Sequence, residues 1–202
     1  HYIVVEEGAF TLPDGTKLEA YKFDTTVTDH KGSWNGHPRD FVNSYSSPVV
    51  LGQVMSSNDA WSTFWSRDDR SRVNPPSGLS FRAGLHVGED PDNTRVSETI
   101  GYLVVEAGQG EMNGVSFEAA VGSDIVRGIG NAPPYSYSLN IPATTAIVSQ
   151  TAMDGGDGGW AVLHGANPLG NNTLRLVIDE DQFDSERRHT HEQVAYLVIH
   201  GT

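Results

Sequence analysis

The stretch Glu98-Thr99-Ile100-Gly101-Tyr102-Leu103-Val104-Val105-Glu106-Ala107-Gly108 reads as a buried β-strand, because β-branched and aromatic residues run unbroken into a glycine stop. The same phrase stands twice more, as Tyr2-Ile3-Val4-Val5-Glu6-Glu7-Gly8 and as Tyr196-Leu197-Val198-Ile199-His200-Gly201. Its tyrosines are 100 and 94 residues apart. Self-similarity at that period marks a structural unit written twice, with its signature strand shown three times.

Working outward, the segments between the copies follow one order. Residues 2–12 read as a strand, Pro13-Asp14-Gly15-Thr16 as a turn and residues 17–24 as the return, which makes a hairpin. The second unit answers with a turn at Met112-Asn113-Gly114 and a return through Val115, Phe117 and Ala119. Residues 25–39 are polar and read as a connector. A short strand from Phe41 broken at Pro48 precedes the core strand Val49-Val50-Leu51, echoed by Leu139-Asn140-Ile141-Pro142 and Ala146-Ile147-Val148. Strands over 61–67 and 79–87 follow, and then an acidic loop into the signature strand. The 22 glycines and 10 prolines are spread as turn punctuation, and no helical periodicity survives them. These features predict an all-β fold of two tandem antiparallel β-sandwich domains of about six strands each. The first is residues 1–108, with an extra N-terminal strand and hairpin, and the second is residues 109–202.

Asp and Glu number 26 against 13 Lys and Arg, so the formal net charge is −13. Such a chain is repelled by phosphate backbones and anionic lipid, which argues against nucleic-acid partners and membrane insertion. It suits solubility at high salt or attraction of divalent cations. With no cysteine there is neither a disulfide framework nor a thiolate metal site. No apolar run approaches the ~18 residues that a membrane span needs. The opening directly on a repeat strand suggests a mature product or a piece excised from a longer array, and the expected location is extracellular, secreted or surface-attached.

At Phe41-Val42-Asn43-Ser44-Tyr45-Ser46-Ser47-Pro48-Val49-Val50-Leu51 and at Ile100-Gly101-Tyr102-Leu103-Val104-Val105 the sequence resembles the H-type lectin domain, the sandwich of snail agglutinins and discoidins. It is also similar to secreted tandem modules that share an E-T-x-G-Y strand and an H-T-x-E approach to it, here His189-Thr190-His191-Glu192. The resemblance implies a six-stranded sandwich and galactose-type sugars as ligands. It assigns no sugar-binding residue.

The acidic loops carry the candidate metal ligands: Glu89, Asp90, Asp92 and Glu98 in the first unit, and Asp179, Glu180, Asp181, Asp184 and Glu192 in the second. Carboxylates crowded on one turn need water, a basic partner or a hard cation, and Ca²⁺ takes six to eight oxygens. Arg95 and Arg187 are the basic partners that would hold Glu98 and Glu192 instead. Asp154 and Asp157 in the run Met153-Asp154-Gly155-Gly156-Asp157-Gly158-Gly159 fit either a calcium loop or a flexible turn. Trp34, Trp61, Trp65 and Trp160 are candidate stacking surfaces for sugars. Trp34, in a polar loop, is the expected exposed one, whereas Trp61 and Trp65 share a strand face if that strand is regular. Arg187 and His189 are candidate ligand contacts. His189 and His191 also have zinc-like spacing, set against a hydrogen-bonded anchor of Arg187, His189 and Glu192 beside the last strand. A copper-binding reading of His1 conflicts with its place inside a repeat strand. No G-x-S-x-G or H-E-x-x-H pattern occurs, so a non-catalytic role is expected, with glycans or neighbouring copies of the same protein as partners. Asn171-Asn172-Thr173 is an N-glycosylation triplet on an expected turn.

Overall fold

A computed structural model describes residues 2–181, 183 and 186–201, and His1 and Asp184 therefore lie outside the described residues. The fold is all β. Its strands are β1 Gly8–Thr11, β2 Lys17–Thr25, β3 Thr28–Asp29, β4 His37–Asp40, β5 Pro48–Val54, β6 Thr63–Asp68, β7 Ser80–His86 and β8 Glu98–Glu106. They continue with β9 Gly108–Met112, β10 Val115–Val121, β11 Tyr135–Ser138, β12 Thr145–Thr151, β13 Trp160–Leu163, β14 Thr173–Asp179 and β15 Gln193–His200.

Strand order repeats between the halves. One sheet runs β1-β2-β8-β5, and within the largest sheet β9-β10-β15-β12 has the same order. Opposite the first lie β4, β7 and β6, and the matching three-stranded sheet is β11-β14-β13. Tyr102 pairs with Tyr21 and Gly52 on its two sides, and Tyr196 pairs in the same way with Ala120 and Val148. Gly8 and Gly108, which open the first strand of each series, have φ of +147° and +140°, the left-handed region that glycine alone enters freely.

Three apolar cores explain why the signature strand does not alternate. Ile100, Tyr102 and Val104 face β6 and β7 with Val50, Phe81 and Leu85. Val194, Tyr196 and Val198 face β11 and β14 with Tyr137, Leu174 and Leu176. The opposite faces of the same strands meet in a third core, where Val105, Leu18 and Leu51 pack against Leu197, Ala195 and Phe117. β8 and β15 are therefore covered on both sides, and both of their side-chain sets are apolar. Each buried Leu or Val contributes ~1.5–3 kcal/mol relative to exposure.

Several expectations are corrected. β3 and most of β4 form within the stretch read as a connector. Two pairings are parallel, β3 with β7 and β6 with β12. The second joins the halves through Thr151 and Ser66, so sheet pairing crosses residue 108. Phe41 to Ser47 forms no strand, and Pro48 begins one, where its missing N–H costs least. The N-terminal copy of the phrase is not a strand: Ile3 and Val5 pack onto the third core, while Tyr2 and Val4 are 87% and 84% exposed.

Candidate functional site

Glu98 and Glu192 stand at matching places, four residues before Tyr102 and Tyr196, and both are buried. Neither carboxylate pairs with Arg95 or Arg187. Glu98 accepts from the backbone N–H of Asn58 (2.7 Å) and Asp59 (3.0 Å) and from the Ser56 hydroxyl. Glu192 accepts from the N–H of Asp154 (3.0 Å) and Gly155 (2.8 Å). Each glutamate thus clasps the loop that leaves the core strand, by charge-assisted bonds that satisfy a buried carboxylate. The arginines go elsewhere: Arg95 bonds Asp90 (3.0 Å) and the Trp61 carbonyl (3.1 Å), and Arg187 pairs with Asp179.

In the second half the clasp is reinforced by His189. Its ring is buried, with Nε2 2.7 Å from Glu192 Oε1 and Nδ1 against Glu180. Burial works against the charged ring, but the two carboxylates outweigh it and push His189 up to about 9. The imidazolium is therefore locked between two carboxylates, with His189 and Glu192 bonded as the anchor reading has them. Arg187 stands apart from it.

Loops from both halves converge beside this clasp. The glycine run crosses two buried rings: a Cβ on Gly155 would overlap His189, and one on Gly158, at φ +79°, would overlap His86. Gly32 N donates to Gly156 O (2.9 Å), and Arg72 Nη1 donates to the carbonyls of Met153 (2.7 Å) and Asp154 (3.0 Å). Lys31 pairs with Glu89 and sits 3.4 Å from Asp157, while Asp181 Oδ2 accepts from Glu89 N (2.7 Å). The Lys31 ammonium thus offsets the charge of Glu89 and Asp157. Asp92 caps its own turn through Thr94 (3.2 Å), and Asp154 has its carboxyl pushed up by burial and by Glu192. Among the described residues no group of three His, Asp or Glu side chains is placed to hold a metal ion.

Asp29 and His86 form a buried pair that the sequence reading passed over. Asp29 Oδ1 accepts from Ser33 Oγ (2.7 Å) and Asn35 N (2.5 Å). His86 Nδ1 accepts from Gly88 N (2.7 Å), which leaves the proton on Nε2, 3.2 Å from Asp29 Oδ2. Burial pushes Asp29 up to about 7 and His86 down to about 3. Only the period-2 pattern of residues 80–86, which places a histidine at the end of a core strand, hinted at this pair.

The four tryptophans divide sharply. Trp65 is 0% exposed. Trp34, expected at the surface, lies under the Arg72 guanidinium, 4.0 Å from its ring centroid, with a buried indole N–H. Trp61 precedes β6 instead of sharing a face with Trp65, and it is 45% exposed. Its ring meets Trp160, the first residue of β13, at 5.6 Å and 64°. One indole comes from each half, each from the segment that follows the clasped loop.

Fold and site together define an acidic all-β sandwich protein in which Glu98, Glu192, Asp90 and Asp179 are held by its own bases and backbone N–H groups, and in which one indole from each half meets the other. The chain is similar to halomucin of Haloquadratum walsbyi (strain DSM 16790 / HBSQ001), at 27% identity over 199 residues, which is 97% of this chain. It spans only 2% of the length of that protein. No family model matches the chain, and no solved structure matches it.

Proposed function

We propose that this chain is a non-catalytic, extracellular carbohydrate-binding and adhesive module, built as two H-type-lectin-like β-sandwich units over residues 1–108 and 109–202. The observation that carries this reading is the Trp61–Trp160 pair, an aromatic surface left open beside acid groups that are internally neutralised. Flat apolar rings with a polar edge suit sugars, which present one C–H face and a rim of hydroxyls. Locked side chains such as His189 suit a scaffold better than proton transfer. The relative carries a mucin's name, which is in keeping with the extracellular location proposed here. The net charge of −13 keeps such a module soluble in concentrated salt. A glycan array probed with the whole chain tests the reading: binding to a defined set of glycans is expected, and an array with no bound glycan removes it.

A second reading, a structural subunit of an extracellular fibre or surface array, is favoured by the exposed Tyr2 and Val4 in an unpaired copy of the signature strand. Sedimentation at increasing concentration tests it, since a strictly monomeric species counts against assembly.

A further inference from the structure

We propose that Trp61 and Trp160 form a composite cleft for a neutral pyranose sugar, one wall from each half, which discriminates against anionic sugars. The inference rests on the carbohydrate-binding reading above and names its site and ligand class. Ring planes at 64° with centroids 5.6 Å apart make an edge-to-face contact and not a stacked pair, and Trp61 is 45% exposed, so the pair keeps ring surface open to a second partner. Trp160 is half-buried, yet its indole N–H is neither sealed inside the protein nor bonded to an acceptor among the described residues. Trp34 and Trp65 differ, because their indole N–H groups are buried. A sugar over the pair would meet apolar ring surface for its C–H side and the Trp160 indole N–H as a donor for a hydroxyl.

Both walls stand on rigid supports, which lowers the ordering cost of binding. The Trp61 carbonyl is held by Arg95 Nε at 3.1 Å, and the preceding residue, Ala60, is capped by Asp59 Oδ1 at 2.8 Å. Trp160 sits in strand register with Asp179. Ligand charge is decided by the surroundings. Asp59, Asp90 and Asp179 lie in the segments that support the two rings, and the arginines nearby, Arg95 and Arg187, are already paired with Asp90 and Asp179. Because both arginines are already paired, neither is free to meet a uronate, which the net charge of −13 also repels, whereas a neutral hexose needs no counter-charge.

The experiment records indole N–H signals of the whole chain by NMR during titration with lactose or cellotriose, and separately with digalacturonate. Affinities of Trp61→Ala, Trp160→Ala and Trp34→Ala variants are measured by calorimetry with whichever neutral oligosaccharide binds. The expected result is that the Trp61 and Trp160 signals move with a neutral sugar, the Trp65 signal stays, and digalacturonate moves neither. Affinity should fall at least tenfold in Trp61→Ala and in Trp160→Ala and stay within twofold in Trp34→Ala. Trp61→Tyr, which keeps a ring at an exposed position, covers the case in which Trp160→Ala fails to fold, and it should retain part of the binding. If the array binds glycans but neither indole responds, the cleft is wrong while the broader reading stands. Equal response to digalacturonate overturns the charge selection, and an array without any bound glycan overturns both.

Discussion

At the scale of single residues, the molecule depends on buried charges that are neutralised locally. His189 is the clearest case. Its folded pKa of about 9 lies above the 6.5 of the free side chain, so its stabilisation is complete below about pH 6.5 and is lost as pH rises through about 9. Asp29 acts in the same direction at lower pH: with its carboxyl raised by burial to about 7, stability falls as pH rises from about 4, where the unfolded carboxyl ionises, to about 7. Thermal melts from pH 4 to 10 should therefore show stability falling in two steps, the lower complete by about pH 7 and the upper by about pH 9. The upper step is worth on the order of 2 kcal/mol, less than the full His189 shift implies, because burial also pushes Glu180 upward. A His189→Gln variant should lose the upper step and be several kcal/mol less stable at pH 7, since Glu180 and Glu192 remain buried without a counter-charge. A flat pH profile in the parent chain would disprove this. Two glycines separate steric from conformational cost. Gly158→Ala should cost ~1–3 kcal/mol or more, because its methyl group enters the His86 ring. Gly15→Ala, at φ +90° with open space around it, should cost only the ~1–2 kcal/mol of left-handed strain. Equal losses in denaturant titrations would show that the ring contact is unimportant. Little of this was legible in the sequence beyond the bond between His189 and Glu192. An acidic loop reads the same whether its carboxylates face water, calcium or backbone N–H groups, and the arginine that covers Trp34 comes from 38 residues away.

At the scale of elements, the repeated phrase was legible because both faces of β8 and β15 must be apolar, and that demand leaves little freedom at successive positions. Ile100, Tyr102 and Val104 serve one core while Leu103 and Val105 serve another, so the strand appears as an unbroken hydrophobic run rather than an alternation. The N-terminal copy has the same residues but no strand partner, which is why pattern alone assigned it a strand it does not form. Propensity describes what a segment can do, and pairing decides whether it does so. Likewise Thr28–Asp29 and His37–Asp40 are polar strands created by β7, and no local signal marks them. The contrast supports a prediction. Leu197→Ala, in the core between the two large sheets, should destabilise by ~2–5 kcal/mol, and Val4→Ala, on the exposed side of the unpaired copy, should stay within ~0.5 kcal/mol. Urea titrations of the two variants measure this. Comparable losses would mean that the N-terminal segment is packed more tightly than its exposure indicates.

At the scale of the whole molecule, the two halves copy each other and yet share what each would need to stand alone. A free β1-β2-β8-β5 sheet would expose Leu18, Leu51 and Val105 to water, and a free second half would expose Phe117, Ala195 and Leu197. Further ties cross the same boundary: Thr151 pairs with Ser66, Gly52 N donates to Ser149 Oγ (3.1 Å), and Arg72 holds the glycine run. An apolar face of that kind on an isolated fragment drives association. The intact chain should therefore unfold in one calorimetric transition, with agreement between calorimetric and van't Hoff enthalpies. Fragments 1–108 and 109–202, made separately, should be unfolded or aggregated, and when coexpressed they should form a one-to-one complex that restores the native tryptophan spectrum through the Trp61–Trp160 contact. Two resolved transitions in the intact chain, or two well-folded monomeric fragments, would show instead that the shared core is a contact between finished domains and not a condition of their folding.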